Sequence, residues 1–208
     1  MYFIGIDQSL ANTGVCILQY GQFVSTHYLG SIKSKPLKSS GATRSTLDLL
    51  KLVRIDNIID EIIEMVGKLN PSKPPFIAIE SPSFSTQNVE LSILYGKLAD
   101  RLWDWLSRCC PADDSGIDQL LIVLPNELKS FVTGKGNADK ELMVFATGIK
   151  DHNQADAFGL ASLSMFIKTG FVHPGLLAKK DPKEAKKLME AREGVLSNLT
   201  VPYVKKKR

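Results

Sequence analysis

Two short apolar runs, each closed by a carboxylate, constrain this chain most. Residues 2–6 (YFIGI) lead into Asp7, and residues 76–79 (FIAI) lead into Glu80. Uninterrupted runs of this kind read as strands buried on both faces, which occur in sheets covered by helices. A carboxylate directly after such a strand stands on a rigid support at the sheet's C-terminal edge, where open α/β sheets place their ligands. Two further acids, Asp151 and Asp156, lie in DHNQADAFGLA. Carboxylates gathered at one edge repel one another unless a divalent cation holds them, and hard oxygen ligands suit Mg²⁺ or Mn²⁺. The pattern predicts a metal-dependent site for phosphoryl transfer.

The 208 residues suffice for one well-buried core, with 44% hydrophobic and 23% charged residues, as in soluble globular chains. No apolar run approaches the roughly 20 residues of a membrane span. The first apolar stretch has no basic flank and contains Asp7, so no secretory signal is expected. The three cysteines are odd in number, and Cys109 and Cys110 are adjacent. They point to a reducing, intracellular (cytoplasmic) compartment and carry no metal-site spacing.

Charge is unevenly placed. Residues 179–208 carry ten Lys/Arg against four Asp/Glu, a net of +6. The whole chain carries 26 against 22, so residues 1–178 carry 16 against 18, a net of −2. One α/β domain over residues 1–170, with a basic extension over 171–208, is expected. Deleting residues 179–208 should weaken binding to a phosphate backbone and flatten its salt dependence, read as the slope of log K against log salt. An unchanged slope would mean an inert tail.

Residues 2–6, 14–19 and 22–33 read as three strands, the last two forming a hairpin. Apolar positions recur at helical spacing over residues 44–69, and Asn70-Pro71 ends the run. A strand over 76–80, an amphipathic helix over 88–106 and a strand over 120–124 follow. Helices are expected over 125–131, 138–146 and 153–168, with a glycine loop over 133–137. An antiparallel meander followed by right-handed crossovers gives a five-stranded mixed sheet of order 3-2-1-4-5, with helices on both faces. That order puts Asp7 and Glu80 on neighbouring strands.

Small residues around Asp156 let a helix press against the sheet and project one carboxylate into the cleft. Asn153, three residues earlier, shares its helical face. Asp151 reads equally as a metal ligand or a helix N-cap. Gly134, Lys135 and Gly136 make a flexible cationic loop, flanked by Lys129 and Lys140, which are placed to reach a phosphate. The loop is not a Walker A motif.

Taken together, GIDQSLANTG (5–14), IAIESPSF (77–84), PNELKSFVTGKGNADKELM (125–143) and NQADAFGLA (153–161) resemble, in order and spacing, the RuvC family of Holliday-junction resolvases. That family lies within the RNase H-like superfamily, and the resemblance covers about residues 1–168. It implies an RNase H-like fold, acidic roles for Asp7, Glu80 and Asp156, and phosphate or active-site roles for Lys129 and Lys140. It also implies a homodimer that nicks opposing strands of a four-way junction, leaving 5′-phosphate and 3′-hydroxyl ends. The family's aromatic near the junction centre corresponds to Phe84, one residue further along than usual. Asn153 stands where the familiar bacterial pattern has an acid, so the fourth metal ligand is either Asn153 or Asp151.

The expectation is a structure-selective endonuclease using two Mg²⁺ ions, bridged by Asp7 and completed by Glu80 and Asp156, with Lys140 nearest the charge developing on phosphorus. Three other readings compete. An actin-like ATPase shares the first acid but needs a second matching domain. An RNase H-like enzyme acting on RNA or other branched substrates shares the acids but not GKGNADK. A non-catalytic junction-binding module would bind without cutting.

Overall fold

The computed structural model describes residues 1–37, 41, 43–69, 74–82, 88–109, 119–176 and 190. Strand β1 (Tyr2–Asp7) pairs antiparallel with β2 (Asn12–Tyr20), which pairs antiparallel with β3 (Val24–Lys33). After helix α1 (Arg44–Gly67), β4 (Phe76–Glu80) returns parallel to β1. Helix α2 (Val89–Cys109) then leads to β5 (Leu120–Val123), parallel to β4. The sheet order is β3-β2-β1-β4-β5, as the crossover argument requires. The chain continues through α3 (Pro125–Thr133), α4 (Lys140–Thr147), α5 (His152–Thr169) and a short 3-10 turn over Pro174–Leu176.

Strand alternation divides the core into two layers. Ile4, Ile6, Val15, Ile17, Ile77 and Ile79 face α1 and α2. Helix α2 answers with Leu94, Leu98, Leu102 and Leu106, a strict i, i+4 stripe buried throughout. Phe3, Cys16, Leu18, Ala78 and Val123 face the layer of α3, α4 and α5. Burial pushes the Cys16 thiol up to about 12, so it stays protonated and unreactive. Val172 and Leu176 pack into the same layer, so the folded unit reaches Leu176.

Helix α5 is buried at every residue from Ala155 to Phe166 except Asp156. Glycine makes this possible, because α5 lies directly on β1 and β2. A Cβ on Gly5 would overlap the Ala157 carbonyl oxygen, and one on Gly14 would overlap the Asn153 carbonyl oxygen. The helix ends follow local chemistry. Asp139 and Asp151 cap α4 and α5, accepting from Leu142 N at 2.8 Å and Gln154 N at 3.0 Å. Gly134, Gly148 and Gly170 close α3, α4 and α5 with left-handed backbone. Helix α4 therefore starts at Lys140, after its Asp139 cap, rather than at residue 138. No helix among the described residues is long and apolar enough to cross a membrane.

Candidate active site

Asp7 ends β1 opposite Gly14 of β2. The β1–β4 register pairs Ile6 with Ile79, so Asp7 and Glu80 come next on adjacent strands. Asp156 projects from the second turn of α5, which the two glycines allow to lie close. All three carboxyls line one cavity of about 300 Å³ with Lys129, Lys140 and Asn153; Ser9, Pro125 and Met143 complete its walls. Lys129 comes from α3 and Lys140 from the first turn of α4.

The electrostatics are those of acids forced together. Burial, then the charges of Glu80 and Asp156, hold the Asp7 carboxyl well above the usual range. Burial, then Asp156, raises Glu80 to about 7, against the partial relief of Lys129 and Lys140. Burial raises Asp156 to about 6, while His152, Lys140 and Lys129 pull it down. A side-chain hydrogen bond between the two acids adds to the rise at Asp7 and partly offsets it at Glu80.

Among the described residues, no three His, Cys, Asp or Glu side chains converge closely enough to grip an ion as they stand. Hard oxygen donors that share a cavity, where burial first and neighbouring charge second raise their pKa values, fit a divalent cation. Asn153 adds an amide oxygen to that set.

Neutralising Glu80 should relieve its buried charge and its repulsion with Asp156. Glu80 has a folded-state pKa of about 7 against an ordinary 4.5. Its contribution to stability is thus complete below about pH 4.5 and lost as pH rises to 7. At pH 8 without divalent metal, Glu80→Gln is expected to be more stable than wild type by on the order of 2 kcal/mol. That is roughly 5 °C in melting temperature for a chain of this size, and the gap should close by pH 5. Thermal melts at the two pH values check this, and equal melting at pH 8 would contradict it.

The remaining sequence candidates fall elsewhere. Asp151 lies outside the cavity wall and caps α5. Its carboxylate accepts from Gln154 N and from Asn12 Nδ2 at 3.4 Å, and the Gln154 bond first among causes holds its pKa below the usual range. Asn153 lines the cavity, and its Nδ2 donates to the Asn12 carbonyl at 2.7 Å, leaving its oxygen as the free acceptor. Gly134, Lys135 and Gly136 form the turn closing α3 and do not line the cavity. There Thr133 Oγ1 receives Lys135 N at 3.1 Å. Phe84 and nearly all of the basic tail lie outside the described residues.

Sequence reasoning missed the residues that support the acids. Gln8 Nε2 donates to the Glu80 carbonyl, tying the end of β1 to the end of β4. Asn12 ties the start of β2 to both Asp151 and Asn153. The signal available for Gln8 was its place directly after a strand closed by a carboxylate; its burial shows only in the fold.

No protein-family model matches the chain. It is 28% identical over 171 residues to a crossover junction endodeoxyribonuclease RuvC of Chlorobium phaeovibrioides, spanning 77% of this chain and 79% of that one. Its fold matches the Thermus thermophilus RuvC structure with a TM-score of 0.53 at 17% identity, over 83% of this chain and 98% of that one. The chain is RuvC-like. The likeness extends over most of both proteins and takes in the five-stranded sheet that carries Asp7 and Glu80. This RuvC-like sheet has the order expected from sequence, and its switch point is where the cavity opens.

Proposed function

We propose that this RuvC-like chain is a metal-dependent, structure-selective endonuclease that resolves four-way (Holliday) DNA junctions by paired symmetric nicks. One observation carries the reading: carboxyls from β1, β4 and α5 share a cavity with two lysines, in a chain similar to RuvC in sequence and fold. Once all three acids are ionised they outnumber the two lysines, so ionised acids and a DNA phosphate would share the cavity only with added cations. Asp7, Glu80, Asp156 and the Asn153 amide oxygen are the residues that would hold two Mg²⁺ ions, for which Mn²⁺ should substitute. Bound there, such ions supply Lewis acidity and a water of lowered pKa.

The chain's own residues do the rest. β1 and β4 fix Asp7 and Glu80 on a rigid support, and α5 sets Asp156 across from them. Lys140 and Lys129 offset the charge that gathers on the phosphoryl oxygens as water adds to phosphorus and the bond to the 3′-oxygen breaks. The products are a 5′-phosphate and a 3′-hydroxyl. Gly134, Lys135 and Gly136 present a cationic turn to the neighbouring strand, and Phe84 contacts the junction centre.

The protein works as a homodimer, because a twofold axis matches paired cuts on opposed strands. Leu94, Leu98 and Leu102 of α2 are committed to the core. Trp103, 37% exposed, is left on the outward side of that helix for an isologous contact.

The test is cleavage of a labelled four-way junction beside linear duplexes of the same sequence, in Mg²⁺ and in EDTA. Cutting of the junction alone, and only with metal, is the expected result. Tight binding without cutting would replace the proposal with a non-catalytic junction-binding module. Cutting of RNA or hybrids in preference would make it a different RNase H-like nuclease.

A further inference from the structure

The four residues between β1 and β2 are each fastened to a different part of the molecule. Gln8 Nε2 donates to the Glu80 carbonyl of β4. Ser9 N donates to Thr13 Oγ1 at 3.2 Å, and that hydroxyl returns to the Ser9 carbonyl at 2.6 Å. The Ala11 carbonyl receives Ser34 N at 3.1 Å. Leu10 is held by a charged group, the guanidinium of Arg54, whose Nη2 donates to the Leu10 carbonyl. The same nitrogen donates to the Ser34 carbonyl at 2.8 Å, and Arg54 Nε donates to Ser34 Oγ at 3.0 Å.

Arg54 thus stitches the loop after Asp7 to the segment after β3. It does so from α1, whose next residues Ile55, Ile58 and Ile59 are fully packed against the sheet. The sequence offers no local reason for an arginine here, since its partners are 20 and 44 residues away.

We infer that Arg54 is a positioning residue: by pinning the Gln8–Ala11 connection to α1, it holds Asp7 in the register that brings the three carboxyls to one cavity. The inference rests on the proposed role of Asp7. Only a planar fork of donors reaches both carbonyls and the hydroxyl together, so lysine is a poor replacement. Supporting side chains of this kind typically change metal affinity or activity by 10–100-fold when removed. A second cavity, of about 480 Å³ and lined by Pro36, Leu47, Asp48 and Lys51, opens beside Arg54. It gives a free guanidinium ion a route to the place the side chain leaves in Arg54→Ala.

The experiment compares wild type, Arg54→Lys and Arg54→Ala, each with its melting temperature recorded. It reads Mn²⁺ affinity without DNA, amide hydrogen exchange over residues 8–12, and junction cutting at saturating DNA. Arg54→Ala is expected to exchange faster at these amides, bind Mn²⁺ about 10-fold more weakly and cut about 100-fold more slowly, with junction affinity within about twofold. Millimolar guanidinium should restore much of the loss, whereas equal ionic strength of NaCl should not. Arg54→Lys should recover only a fraction. Unchanged exchange and unchanged Mn²⁺ affinity in Arg54→Ala would overturn the inference. So would losses that track melting alone and ignore guanidinium. Failure of the wild type to bind Mn²⁺ or cut a junction would count against the proposed function instead, and the exchange measurement would still decide Arg54.

Discussion

Asp7→Asn is expected to lower junction cutting by at least about 1,000-fold while leaving junction affinity within about threefold. Asp7 is the carboxyl on which the other two act: it is hydrogen-bonded to Glu80, and the charges of Glu80 and Asp156 both raise its pKa. An amide keeps the shape and removes the charge that would hold a cation between the strands. It also removes a buried acid whose charged form burial and the neighbouring carboxylates disfavour, so the variant should melt no lower than wild type at pH 8. Opposite directions for activity and stability separate a lost site from a lost fold. Single-turnover cutting with excess enzyme, beside junction binding in Ca²⁺ and a thermal melt, gives the three readings. Mg²⁺-dependent cutting at the wild-type rate would remove Asp7 from the site.

Gly5→Ala should have the largest effect on stability. Gly5 is in the middle of β1, and an added Cβ would overlap the backbone of α5 at Ala157 and crowd Ala161. No side-chain rotation relieves a clash with backbone, so the helix must lift from the sheet. Overpacking commonly costs 1–3 kcal/mol and more when nothing yields, and about 4 kcal/mol is expected here. That corresponds to roughly 10 °C in melting temperature for a chain of this length. Because α5 carries Asp156, the surviving folded protein should also bind metal more weakly. A melting temperature within about 2 °C of wild type would show that α5 is more loosely seated than described.

The parts legible in the sequence are those decided by local pattern. Runs closed by Asp7 and Glu80 were readable because a strand buried on both faces has no polar interruption. The order β3-β2-β1-β4-β5 then followed from connection handedness. The leucine stripe of α2 and the Asn70-Pro71 stop after α1 are equally local signals. Asp156 was readable from its small neighbours, whose purpose becomes visible only in the contacts of Gly5 and Gly14 with α5.

What the sequence left open depended on distant contacts. Asp151 reads from sequence as either a ligand or a cap, and only the fold shows its carboxylate capping α5 and receiving Asn12. Gln8, Asn12 and Arg54 act through partners 72, 141 and 44 residues away, and no periodicity encodes such pairs. Lys129 and Lys140 were legible as flanking cations. Their meeting with the acids needed the α3–α4 turn, capped by left-handed Gly134, to fold back toward the sheet.

Junction resolution is decided by mapping, to the nucleotide, the cuts made on each strand of a synthetic four-way junction in Mg²⁺. Two nicks are expected, at symmetry-related positions on one pair of opposed strands, each leaving a 5′-phosphate and a 3′-hydroxyl. Nicks scattered without symmetry, or equal cutting of linear duplex, would contradict it.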